Sequence, residues 1–143
     1  MALTAEEAEL IRTTFRAIAR DGRGAAERFY EILFAQAPHI RALFVNDMER
    51  QGTLLMSKLG LVVAELQNMA ALAPVLEDLA LRHVAYGVRP EHYPLVGAAL
   101  VQMLEERLGA AFTAEAGAAW AKAYDELSAQ MIRSAYSQIA AAK

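Results

Sequence analysis

Three residues of this 143-residue chain combine a reactive side chain with a position from which it could act: His83, Tyr30 and Gln51. His83 lies in LEDLALRHVAYGV, on the apolar side of a predicted helix that stops at Gly87. A neutral imidazole is a good iron ligand, and a single axial histidine leaves the opposite coordination position open to a gas. Taken alone, such a histidine reads equally as a core residue with a satisfied hydrogen bond. Tyr30 and Gln51 bring a phenol and an amide, both hydrogen-bond donors, to the inner faces of two other predicted helices. Either could instead be a buried polar group satisfied by backbone. His39, which follows Pro38 near Arg41, and His92, at a solvent-rich helix start, read as surface residues. The chain has no cysteine, so disulfides, thiolate zinc sites, iron–sulfur clusters and covalent c-type attachment are excluded. Any metal must arrive through histidine, carboxylate or a cofactor.

The elements that would position these residues are all helical. Apolar residues recur at helical spacing, and no alternating run is flanked by hairpin signals. Thr4 and Glu7 form a capping box, after which Leu10, Ile11, Phe15 and Ile18 make one apolar stripe. Asp21 caps a second helix from about Gly22 to Ala35, carrying Phe29, Tyr30, Leu33 and Phe34. Pro38 opens a short third piece, HIRALF. Asn46 or Asp47 caps a fourth that runs to about Gln67 with Met48, Gln51, Leu55, Leu59 and Val62 on one side. Pro74 sits in the first turn of the His83 helix, and Pro90 starts the next, with Tyr93, Val96, Leu100 and Leu104 inward. Gly109 ends that helix. Thr113 caps the last one, whose buried stripe is Trp120, Tyr124, Leu127 and Met131.

A chain of this length fits one domain, and its 56% apolar content exceeds what a small helical bundle needs, as expected if some side chains line a cavity for a flat apolar ligand. No apolar run approaches the roughly 18 residues of a membrane span, and MALTAEEAEL lacks the layout of a signal peptide, so a cytoplasmic protein is expected. A net charge of -3 leaves no basic face for phosphate backbones, which argues against a nucleic-acid partner.

Pro38 stands six residues before Phe44, Tyr30 fourteen before Phe44, and Gln51 thirty-two before His83. These intervals, with the order of long and short helices, resemble the bacterial single-domain globins over nearly the whole chain. The phrases RHVAYGV, HYPLVG and AAWAKAY, between Arg82 and Tyr124, are similar to the haemoglobins related to the globin part of flavohaemoglobins. The resemblance implies one globin domain over residues 1–143, a three-over-three sandwich of helices around haem b. Only seven residues separate Phe44 from Gln51, so the extra helix that some globins insert there, helix D, is absent.

The same resemblance implies roles for single residues. His83 becomes the proximal iron ligand, with Leu79 packing beneath the porphyrin, Val88 and Tyr93 around its edge, and Leu59 and Val96 lining the pocket. Phe44 stacks on the haem. Tyr30 and Gln51 become the distal pair, with Leu55 narrowing the space one turn beyond Gln51. Gly52 permits a close crossing of two helices, with Ala26 as its small partner. Two donors over dioxygen could add ~2 to 4 kcal/mol, slowing its escape by a factor of roughly 30 to 1,000. In flavohaemoglobins a tyrosine and a glutamate flank the proximal imidazole. Tyr93 supplies the tyrosine here, but the glutamate position is Ala135, while Asp125 and Glu126 lie on other faces. The remaining ring N–H of His83 then goes most simply to the carbonyl of Leu79.

The function implied is reversible binding of O2, and by the same geometry CO and NO. The alternative is an NO dioxygenase, with Tyr30 and Gln51 holding O2 for reaction with NO to give nitrate and a separate flavin reductase supplying electrons.

Overall fold

The computed structural model describes residues 3–44 and 47–142, with side chains described as far as Ala135. Six α-helices carry the chain: α1 Ala5–Ala19, α2 Gly22–Gln36, α3 Met48–Ala64, α4 Ala73–Ala85, α5 His92–Leu108 and α6 Ala114–Ala142. Short 3-10 segments span Pro38–Leu43, Met69–Leu72 and Gly109–Ala111. No strand occurs among the described residues.

Local chemistry sets most of the helix starts. The Thr4 hydroxyl accepts from the Glu7 amide at 3.1 Å while the Glu7 carboxylate accepts from the Thr4 amide at 2.9 Å, completing the expected capping box. Asp21 accepts from the Gly24 amide at 3.2 Å, Asp47 from Glu49 at 3.0 Å, and the Thr113 hydroxyl from Ala116 at 3.1 Å. Asn46, the other candidate cap for α3, lies outside the described residues. Gly109 ends α5 at φ +54°, a backbone region glycine enters without steric cost. Two boundaries differ from expectation. α3 stops at Ala64 rather than near Gln67, giving way to the Met69–Leu72 segment, and α5 begins at His92 rather than at Pro90, which sits in the preceding turn.

α2 packs along α5, α1 and α4 pack on α6, and α3 crosses α2 and α1. The layer of α1, α3 and α4 thus lies over the layer of α2, α5 and α6. Between α3 and α4, neighbours in their layer, no extensive contact forms among the described residues. The core is correspondingly split. One cluster surrounds Ile11, Phe29, Tyr30, Leu33, Leu100, Met103 and Trp120; a smaller one surrounds Leu72, Leu76, Ala80, Tyr93, Met131 and Ala135. Val62 touches both. The buried Trp120 indole donates to the Thr14 hydroxyl at 2.8 Å, which itself donates to the Leu10 carbonyl at 2.7 Å, so the polar atoms inside the α1–α6 contact are paired. Arg28 grips Glu106 at 2.7 and 3.2 Å across the α2–α5 seam.

Candidate functional site

Most of the expected site residues are half-buried. Phe44, Leu55, Leu59 and Val96 are half-buried against the larger cluster; Leu79 and Val88 are half-buried against the smaller one. α3 buries fully only Gly52 and Val63. A helix inside a two-layer fold ordinarily buries a wider stripe than that. The half-covered leucines and valines therefore border an apolar slot between α3 and α4.

On the α3 side, Tyr30 is 7% exposed and ringed by aromatics. Phe29 meets it edge-on at 4.9 Å between centroids, Phe34 stacks on it at 5.7 Å, and Phe44 meets it edge-on at 5.4 Å. Phe34 and Phe44 touch each other at 5.3 Å, and the Arg41 guanidinium covers Phe34 at 5.5 Å while donating to the Phe44 carbonyl at 3.0 Å. This wall fixes Phe44 at the corner where Pro38 redirects the chain. Burial pushes the Tyr30 phenol up to about 12, and hydrogen bonding with the Gln51 side chain pulls back part of that rise. The phenol is thus a neutral donor across the physiological range, and Gln51 lies within its reach. Gln51 can stand there because α2 and α3 cross closely: a Cβ added at Gly52 would lie 3.0 Å from the Cβ of Ala26. That is the close approach expected of this pair.

On the α4 side, the Nδ1–H of His83 donates to the Leu79 carbonyl at 2.7 Å, the hydrogen bond expected from the spacing. A carbonyl can only accept, so the neutral ring carries its proton on Nδ1 and presents a lone pair at Nε2. Burial lowers the basicity of the ring, and the Leu79 carbonyl offsets part of this. The Tyr93 ring lies near-parallel to His83 at 6.3 Å between centroids. Ala135 is 1% exposed and packs in the same cluster as Tyr93 and Met131, so the position of the missing carboxylate is closed by apolar contact.

Three parts of this arrangement were not expected as site features. Phe34, read as a stripe residue, is the stacking partner of Tyr30 one turn away. Tyr124, also read as core, donates its hydroxyl to the Tyr93 carbonyl at 2.6 Å and so ties α6 to the start of α5. His92 is half-buried rather than a free surface residue: its Nδ1 accepts from the Arg89 amide at 3.0 Å, and its ring lies 5.8 Å from that of His39. The signal for the first was the i, i+4 spacing on α2. The other two depend on elements distant in sequence.

Six helices in two layers and a core split into two clusters describe one fold class closely, and known proteins place the chain in it. The globin family profile matches residues 27–131. The flavohemoprotein of Rhizobium meliloti is 33% identical over 128 residues, covering 87% of this chain and 32% of that protein. The flavohemoprotein of Xylella fastidiosa is 36% identical over 118 residues, covering 80% and 30%. The chain therefore spans about a third of the length of these relatives. Among solved structures, a bacterial globin from Campylobacter jejuni superposes with a TM-score of 0.84 at 23% identity, covering 95% of this chain and 99% of that one. A carbene transferase engineered from a Rhodothermus marinus protein assigned as a nitric oxide dioxygenase superposes at 0.87 with 28% identity, covering 98% of each chain. The chain belongs to the globin family.

Proposed function

We propose that this globin holds haem b in the slot between α3 and α4, with His83 Nε2 as axial ligand, and takes up O2 reversibly there, with CO and NO as alternative ligands. The observation that carries the reading is the state of His83. A half-buried ring whose Nδ1 proton is committed to Leu79, and whose basicity is lowered by burial, leaves one lone pair, at Nε2, free for a metal. The half-covered side chains of Leu55, Leu59, Leu79, Val88 and Val96 suit a flat apolar group. When bound, haem would supply an iron centre able to take up a diatomic gas.

The chain's own residues then divide the work. The Leu79 carbonyl holds the His83 proton at Nδ1 and fixes the ring's orientation. Tyr30 keeps a neutral O–H on the opposite side, and Gln51 supplies an amide that orients the phenol or donates alongside it. Phe29, Phe34 and Phe44 keep water from the phenol, so its hydrogen bond is made in an environment of low polarity. Ala135 itself brings no carboxylate to the cluster of Tyr93 and Met131.

A second reading, NO dioxygenation to nitrate, is favoured by the likeness to the Rhodothermus marinus protein. It requires electrons from a separate flavin reductase, and steady nitrate formation with such a reductase would select it over simple binding. The primary test is spectroscopic. The purified protein should show a Soret band that shifts on reduction and again with CO, and His83→Ala should abolish normal ligation. An unaltered ferrous–CO spectrum in His83→Ala rejects the assignment.

A further inference from the structure

The gas-binding reading leaves one pair of metal-ligating side chains unused. His39, on the 3-10 segment Pro38–Leu43, and His92, the first residue of α5, place their rings 5.8 Å apart at an interplanar angle of 46°. They lie 53 positions apart in the chain, so folding alone brings them together. We propose that His39 and His92 form a two-histidine site for a divalent transition-metal ion of the copper, nickel or zinc class, bridging the 3-10 segment and the first turn of α5.

Imidazole is a preferred ligand for these ions. With metal–nitrogen bonds of about 2.0 to 2.1 Å, two imidazoles at a tetrahedral angle on one ion have centroids roughly 5 Å apart. The observed separation needs to close by less than an ångström, which a small rotation of the exposed His39 provides. The 46° tilt is not a stacking geometry, so ring stacking does not account for the pair. The nearby cations are engaged elsewhere: Arg41 covers Phe34 and donates to the Phe44 carbonyl, and Arg89 lies 3.9 Å from Glu91. The hydrogen bond from the Arg89 amide to His92 Nδ1 at 3.0 Å explains why a histidine starts α5 but not why another faces it. Metal binding through either nitrogen of His92 gives up that bond. Water fills the remaining coordination positions.

Such an ion would tie together two elements that border the slot. The 3-10 segment leads into Phe44, and the first turn of α5 carries Tyr93. Bound metal therefore stabilises the rim of the cleft, by an amount that grows with the logarithm of free ion above its Kd.

The site is tested by titrating the purified protein with CuCl2, NiCl2 and ZnCl2 by calorimetry, with copper EPR as a second readout. One ion per chain is expected, with a Tm that rises with ion concentration and an EPR signal of nitrogen ligation. His39→Ala, at an exposed position, should weaken binding by about tenfold or more while leaving the far-UV spectrum unchanged. His92→Ala should do the same. Binding unchanged in His39→Ala places the ion elsewhere and overturns the proposal, as does the absence of binding at millimolar ion.

Discussion

Tyr30→Phe removes one donor and keeps the ring around which Phe29, Phe34 and Phe44 pack. In haem-loaded Tyr30→Phe the loss of one hydrogen bond of ~1 to 2 kcal/mol should speed O2 dissociation roughly five- to thirtyfold. Stopped-flow displacement by CO measures this, and an unchanged rate would return Tyr30 to a packing role. The phenol's donor form is lost only as pH rises through about 12. Dissociation should therefore stay flat from neutral pH to about pH 10. Of the proposed site residues, His83, Tyr30 and Gln51 were visible by type, because few side chains ligate iron or donate from an apolar face. Their roles came from family likeness rather than from spacing alone. Phe34 and Tyr124 looked like ordinary stripe residues, since nothing in a one-dimensional pattern separates a ring that fills the core from one that holds a neighbour in place.

At the scale of the elements, two contacts fasten α6 to its neighbours α5 and α1. The ring of Tyr124 lies against the backbone of Gly97: an added Cβ would fall 2.7 and 2.8 Å from Cε2 and Cδ2. Gly97→Ala should displace that ring, weaken its hydrogen bond to the Tyr93 carbonyl, and cost ~1 to 3 kcal/mol in denaturant unfolding. Full wild-type stability would mean that the α5–α6 contact yields more easily than its geometry implies. Two residues earlier on α6, Lys122 donates to Glu7 at 2.9 Å, and the Thr4 amide and Lys122 together hold the Glu7 carboxyl below its ordinary value. A depressed carboxylate stabilises the fold above its unfolded value of 4.5 and loses that contribution as pH falls through the folded value. Glu7→Gln should thus lower stability at pH 7 and flatten its decline between about pH 5 and 3. Equal acid slopes would exclude the contribution. Helix starts were legible because caps act within three or four residues. The early stop of α3 and the late start of α5 were not, because packing rather than local propensity sets those ends.

For the whole molecule, the division of the core into two clusters determines behaviour. α3 and α4 each lean on helices of the other layer and barely on each other, so a ligand in the slot adds contacts that the protein alone lacks. Hydrogen exchange on haem-free protein should find α4 less protected than α2 and α5, with protection restored by haem. Uniform protection in the haem-free state would contradict a slot that needs filling.

From its own order of residues the chain specified an all-helical fold, most of its caps, and the inward placing of His83, Tyr30 and Gln51. Those properties arise from periodicity and from hydrogen bonds between near neighbours, which a linear pattern records. Folding in three dimensions decided that α3 and α4 make little contact with one another, that Ala135 packs in the cluster of Tyr93 and Met131, and that His39 meets His92. Each of these depends on segments tens of residues apart, whose meeting is governed by side-chain volume and layer packing rather than by anything adjacent in sequence.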